Sequence, residues 1–203
     1  RAMTVPFHEL PSFTVSAQGH ELAFHPDGAD RLTALIALID SATRSLDMCF
    51  YIYAADNAGR RVREALLAAT GRGVTVTLIV DGFGATAPPA FFDPLVEAGA
   101  TFCRFMPRWT RRYLIPNHQK IVIADSERAM IGGFNVADEY FATPEQDGWS
   151  DIGVVLSGPV VQDLQDWFTA ISSWALLPKG QFRSIRRLVR HWDPGRGPVQ
   201  LLM

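Results

Sequence analysis

From Glu21 onward, short apolar runs alternate with stretches in which apolar residues recur three and four positions apart, the pattern of strands interleaved with helices. Glu21–Phe24 reads as a strand, followed by a turn at Pro26-Asp27-Gly28. Over Asp30–Ala42, the residues Leu32, Leu35, Ile36 and Ile39 share one helical face, with Asp30 as the expected N-cap. Leu46–Tyr53 reads as an apolar strand, with Asp47 as its charged residue. Gly59–Thr70 is a helix turning Val62, Leu66 and Ala69 inward, and Val74–Val80 is a β-branched strand ending at Asp81-Gly82, so the three form a βαβ unit. Pro89–Ala98 predicts a further helix stopped by Gly99, and Thr101–Phe105 returns as a strand.

The next segment, Met106–Pro116, has no clear period and reads as a loop that carries Arg108, Trp109, Arg111, Arg112 and Tyr113. It leads into two strands, His118–Ala124 and Arg128–Ile131, joined by a turn at Asp125-Ser126-Glu127. Ile152–Leu156 is another strand, and Pro159–Ala175 a helix with Val161, Leu164, Phe168, Ile171 and Ala175 at helical spacing. The expected class is α/β, with a mixed, largely parallel sheet flanked by helices on both faces. Past Pro178-Lys179-Gly180 the composition changes. Gln181–Trp192 is basic and amphipathic, which suits either an interdomain linker helix or a helix lying on a membrane surface. The closing apolar run Val199–Met203 resembles Glu21–Phe24, as the start of a second copy of the unit would.

A chain of 203 residues that is 48% hydrophobic can bury a substantial core. Its net charge of −2 supplies no global field for nucleic acid, so anion recognition has to be local. Cys49 and Cys103 lie in strand-like runs and are expected to be reduced, buried thiols. The apolar runs fall well short of the roughly 20 residues that span a bilayer as a helix. No secretory signal is visible, which leaves open an anchor preceding this sequence.

The chemistry concentrates in Asn117-His118-Gln119-Lys120-Ile121-Val122-Ile123-Ala124-Asp125 and Gly132-Gly133-Phe134-Asn135. Two residues apart on a strand, His118 and Lys120 leave the same face and can meet one ligand. An imidazole offers a nucleophile or proton carrier, an ammonium offers fixed positive charge, and the Asn135 amide can donate to a non-bridging phosphate oxygen. Gly132 and Gly133 permit close backbone approach and unusual dihedrals. His8, His20, His25 and His191 have no lysine two residues on, and no His/Cys/Asp cluster has metal-ligand spacing, so a metal-independent site without a cofactor is expected.

These residues resemble the signature of the phospholipase D superfamily: His-x-Lys, four residues, Asp, then six residues and a glycine-rich turn ending in Asn, matched here by His118, Lys120, Asp125, Gly132 and Asn135. Many members carry Ser where this chain has Gly133, a departure that is familiar in the cardiolipin synthase branch. Asn135-Val136-Ala137-Asp138-Glu139-Tyr140, Trp149-Ser150-Asp151 and Gly158-Pro159-Val160-Val161 also resemble that branch, and the similarity runs from about Gly28 to Trp174. On it, residues 1–20 are an N-terminal extension, 21–178 a phospholipase D-like catalytic half, and 179–203 a linker and the start of a second half.

The resemblance implies phosphodiester transfer through a phosphohistidine, with a second histidine protonating the leaving alcohol from the opposite side. It places His118, Lys120, Asp125, Asn135 and Asp151 in the catalytic set and Gly133 and Arg112 against substrate. Within that set Asp125 suits a structural turn residue rather than one touching substrate. Asp151 suits the carboxylate that orients the catalytic imidazole, its alternative being pairing with solvent or arginine. Arg112 suits a head-group phosphate contact or a solvated loop. One motif gives one imidazole, so the second comes from a further half or from another copy of the chain. The expected substrate is a phospholipid and the expected place the cytoplasmic membrane surface, peripheral or anchored elsewhere. The competing enzyme is a homodimeric phosphodiesterase or nuclease, which the charge balance disfavours, and the non-enzymatic competitor is a phosphate-binding scaffold.

Overall fold

The computed structural model describes residues 9–105 and 118–176. Eight strands form one sheet: β1 (Phe13–Ala17), β2 (His20–His25), β3 (Ser45–Phe50), β4 (Thr75–Asp81), β5 (Thr101–Phe105), β6 (Ile121–Ala124), β7 (Arg128–Gly132) and β8 (Gly153–Ser157), in the order β1-β2-β8-β7-β6-β3-β4-β5. The helices are α1 (Gly28–Asp40), α2 (Asn57–Gly71), the short α3 (Asp93–Glu97) and α4 (Val160–Leu176).

The sheet is mixed, as its pattern predicts, but parallel pairing is confined to β3–β4 and β4–β5; every other pair is antiparallel. Both parallel pairs have the long crossover that such strands require, β3–β4 through α2 and β4–β5 through α3, while β6 and β7 are joined by a tight turn. Helices cover both faces. Leu35 and Ile39 of α1 and Val62 and Leu66 of α2 pack on one side with Leu46, Met48, Phe50 and Val122. Val161, Leu164, Phe168 and Ile171 of α4 pack on the other with Cys49, Ile79, Ile121 and Ile123. Strands buried on both sides explain why β3 and β4 are mostly apolar; Asp47, the charged residue within β3, accepts from the Gln165 amide of α4 at 2.8 Å. Neither cysteine is in a disulfide; Cys49 is buried and Cys103 partly so.

Several boundaries differ from the pattern. The α1 cap is Asp27, whose Oδ1 accepts from the Asp30 N–H at 2.9 Å, so the helix begins at Gly28 and Asp30 lies inside it. Gly28 leads because a Cβ there would lie 2.8 Å from the Ala142 carbonyl oxygen. The predicted Pro89–Ala98 helix divides into a 3₁₀ turn over Pro89–Phe91 and α3, since Pro94 has no N–H to continue the helical ladder. β3 ends at Phe50, and Tyr53 makes an isolated parallel bridge to Val136. β6 starts at Ile121 rather than His118, its ladder having run out of partners at Cys49 on β3 and Ile131 on β7.

β1 lies within the expected N-terminal extension and is a strand the pattern left out. It is an exposed edge strand, tied to β2 by Phe13 stacked on Phe24 at 4.8 Å and by a two-residue hairpin loop, Gln18-Gly19, with both φ values positive. The arginine-rich loop with Arg112, the basic stretch 181–192 and the apolar run 199–203 lie outside the described residues. Among those described, no helix is long and apolar enough to cross a membrane.

Candidate active site

The C-terminal ends of β3, β4 and β7 and the N-terminal ends of β6 and β8 meet on one edge of the sheet, a consequence of the pairing directions. That edge collects Tyr51 after β3, the turn after β4, His118 and Lys120 before β6, Gly133 after β7 and Asp151 before β8.

His118 is exposed, and Lys120 Nζ lies 3.4 Å from its Nδ1 and donates to its carbonyl oxygen. The two side chains therefore meet, as their spacing requires, even though both precede the strand proper. Gln119 between them is drawn to the opposite face, where its Oε1 accepts from the Trp167 indole of α4 at 2.7 Å. Alternation about this anchor keeps His118 and Lys120 together. Partial burial pushes the Lys120 ammonium below its usual range, and the Asp151 carboxylate pulls it partly back. The imidazole stacks on Tyr51 with ring centroids 4.1 Å apart, and the ammonium sits 5.7 Å from the same ring.

The glycine pair works through close approach alone: neither Gly132 nor Gly133 has a positive φ. A Cβ on Gly132 would lie 2.3 Å from the Ile152 carbonyl oxygen, and one on Gly133 would lie 2.6 Å from Asp151 Oδ1. Gly133 thus makes room for a carboxylate. Asp151 Oδ1 accepts from the Ile152 N–H at 2.7 Å, and among the described residues no hydrogen bond joins Asp151 to His118; Lys120 faces Nδ1 instead. Asn135 is buried rather than presented to solvent. Its Oδ1 accepts from the Ile52 N–H at 2.9 Å, and its amide hydrogen-bonds the Tyr140 hydroxyl, whose pKa burial raises and this bond lowers.

Arg31, which no motif marks, and Asp138, within the Asn135–Tyr140 stretch, hold the loop leading to Asp151. Arg31 is fully buried, and its guanidinium donates to the carbonyls of Tyr140, Asp151, Pro26 and His25. Burial lowers its pKa, while Asp151, Glu9 and Asp27 act in the opposite sense. Asp138 accepts from the Ala58 N–H at the start of α2, and its own N–H donates to Asp56. A lone arginine on an apolar helix face was the available signal for the first. Glu139 is exposed.

Asp125 stands at the far end of β6 from Lys120 and takes no part in this cluster. Its carboxylate accepts from the N–H groups of Thr43, Arg44 and Ser45 and from the Thr43 hydroxyl. Burial disfavours its charge, but those four donors outweigh it and hold the pKa down to about 2. It locks the α1–β3 loop to the β6–β7 turn.

An exposed imidazole beside an ammonium, with a carboxylate and a buried amide behind, can bind an anionic oxygen and offer a nitrogen to phosphorus. Among the described residues, no group of three or more His, Cys, Asp or Glu is placed to hold a metal ion. The family model "Cardiolipin synthase, PLD-like domain" matches residues 35–172. The chain is 32% identical over 163 residues to a cardiolipin synthase of Clostridium perfringens, covering 78% of this chain and 34% of that protein. It is 35% identical over 148 residues to the major cardiolipin synthase ClsA of Bacillus subtilis, covering 70% and 31%. It spans about a third of the length of these relatives. The fold matches the phospholipase D family member Nuc of Salmonella typhimurium with a TM-score of 0.56 at 23% identity, covering 74% of this chain and 91% of that one. It also matches a phosphatidylserine synthase of Haemophilus influenzae with a TM-score of 0.62 at 15% identity, covering 88% and 44%. With the family model spanning both the His118–Asp125 motif and the Gly132–Asn135 turn, the chain belongs to the phospholipase D superfamily, in the family of the cardiolipin synthase PLD-like domain.

Proposed function

We propose that this chain supplies one half of a phosphatidyltransferase site that moves a phosphatidyl group between alcohols through a phosphohistidine, as in cardiolipin synthesis. The observation that carries the reading is the pairing of an exposed His118 imidazole with the Lys120 ammonium, Nδ1 to Nζ 3.4 Å, on the edge where Gly133 and Asp151 also meet. Relatives named cardiolipin synthases support the substrate class, a phospholipid at a membrane surface.

In this mechanism a non-bridging phosphate oxygen draws Lys120 away from the imidazole. His118 Nε2 then attacks phosphorus and breaks the bond to the leaving alcohol, which takes a proton from a second histidine. An incoming alcohol gives its proton back to that histidine and displaces His118. Asp151 acts once Lys120 has moved, accepting from the imidazole Nδ1–H and fixing the tautomer. Asn135 and Asp125 hold backbone in place, and Arg112 meets the head-group phosphate. In-line displacement needs nucleophile and acid on opposite faces, so the second histidine comes from a further catalytic half or another copy of this chain.

The test is a transfer assay with labelled phosphatidylglycerol and, in parallel, short single-stranded DNA, on the natural full-length protein and on the 203-residue chain, each with its His118→Ala variant. Lipid product that disappears with His118 supports the proposal. Cleavage of DNA by the chain itself would replace it with a dimeric nuclease, and binding of phospholipid without turnover would leave a scaffold.

A further inference from the structure

Tyr51 carries no motif, yet it is the residue that the His118 ring lies on. The rings are stacked, with centroids 4.1 Å apart and planes 26° from parallel. The tyrosine is in turn held from the chain after β4. There the buried Asp81 Oδ1 accepts from the N–H groups of Phe83 and Gly84 at 2.8 and 3.2 Å, and the Ala85 N–H donates to the Asp81 carbonyl. This turn brings Gly84 so close to Tyr51 that a Cβ would lie 3.0 Å from Cε1 and Cε2 and 2.5 Å from the tyrosine carbonyl oxygen. Only glycine lets the two segments approach this far.

An exposed imidazole ordinarily samples several rotamers, and a reaction at its nitrogen must first restrict them. A stacked aromatic face supplies that restriction before substrate arrives, with an attraction of its own. It also attracts cations, and the Lys120 ammonium lies 5.7 Å from the same centroid. One ring is thus in contact with both members of the His-x-Lys pair.

We propose that Tyr51 is the positioning residue of the site: its ring face, set by the Asp81–Gly84 turn, fixes the plane of the His118 imidazole and its distance from Lys120. The role belongs to the ring and not to the hydroxyl. The catalytic consequence rests on the functional reading above, in which His118 is the reacting group; the positioning itself does not.

The experiment has two arms. In the first, the His118 ring protons of the 203-residue chain are observed by NMR and assigned by their loss in His118→Ala. Stacking on Tyr51 shifts them upfield of those of exposed histidines. The shift persists in Tyr51→Phe, collapses in Tyr51→Leu and is reduced in Gly84→Ala, where the added methyl displaces the ring. In the second arm the Tyr51 substitutions are made in the natural full-length protein. Tyr51→Leu lowers kcat by about 10- to 100-fold with KM held within about twofold, and Tyr51→Phe restores the rate, because misplacing a reacting group costs turnover rather than uniform binding. A His118 resonance at the exposed position in the native chain would overturn the proposal. So would an undiminished kcat in Tyr51→Leu, or a loss in Tyr51→Phe as deep as in Tyr51→Leu, which would assign the effect to the hydroxyl. Absence of transfer in the native full-length protein would refute the functional reading alone, with the first arm still deciding the positioning.

Discussion

Gly133 and the Asp151 carboxylate claim the same space: a Cβ on the glycine would fall 2.6 Å from Oδ1 and 2.9 Å from Oδ2. The obstacle is the end of a side chain, which can swing away at little cost. Gly133→Ala should therefore displace Asp151 and break its bond to the Ile152 N–H while leaving stability nearly unchanged. We expect phosphatidyl transfer to fall about 10- to 100-fold, as for a misplaced active-site group. Gly132→Ala meets a backbone oxygen instead, at 2.3 Å, and should cost about 1–3 kcal/mol of stability through overpacking. Urea unfolding beside activity separates the two; equal destabilisation by both would contradict the distinction.

Asp125 provides an acid-sensitive lock. Its folded pKa of about 2 lies below the ordinary 3.8, so the charged form is stabilised by folding. That contribution is complete above pH 4 and is lost as pH falls through about 2, amounting to about 2 kcal/mol in all. Asp125→Asn should lower stability by about that much at pH 7 and flatten the loss between pH 4 and 2. Chemical denaturation at pH 7, 4 and 3 reads both effects. Because the carboxylate stands at the other end of β6 from Lys120, we expect turnover per folded molecule to be retained.

The sheet, its covering helices and the His118–Lys120 pair were legible because each rests on local periodicity: mostly apolar runs in β3 and β4, helical spacing in α2 and α4, alternation around Gln119. What escaped depends on contacts distant in sequence. Arg31 meets carbonyls more than a hundred residues away, at Tyr140 and Asp151, and nothing in the surrounding α1 pattern announces them. Tyr51 reads as one more aromatic residue closing an apolar run. β1 escaped for the opposite reason: as an edge strand with Phe13 and Val15 exposed, it lacks the burial pattern that marks the others, and Gln18-Gly19 was its only clear sign. Gly132 and Gly133 were legible as sites of close approach, but what approaches is set by β8.

Arg31 should prove to be the fastening of the loop that carries Asp151. Removing its guanidinium strands several buried carbonyls, and each lost hydrogen bond to a charged donor is worth about 1.5–3 kcal/mol. Arg31→Met keeps the stem but should cost about 3 kcal/mol or more, and Arg31→Lys should recover only part, since one ammonium cannot replace a planar fork. The amides of Trp149 and Ile152, bonded to the Glu139 carbonyl and to Asp151, should lose hydrogen-exchange protection ahead of those in β3 and β4. Uniform loss across the sheet would make Arg31 a general core residue instead.

Lys120 gives the site an alkaline limit. Burial disfavours its charged form, so its proton leaves below the ordinary lysine value of 10.5 despite the attraction of Asp151. The neutral amine has no charge for a phosphate oxygen, so binding of inorganic phosphate should weaken as pH rises, with a midpoint below 10.5. Lys120→Met should abolish the binding at every pH. Lys120→Arg should hold it through the alkaline range, because a guanidinium stays protonated there. Calorimetric titration with phosphate at neutral and alkaline pH distinguishes the three. A native profile that stays flat past 10.5, or that Lys120→Arg does not extend, would remove Lys120 from anion binding and leave it as a spacer for His118.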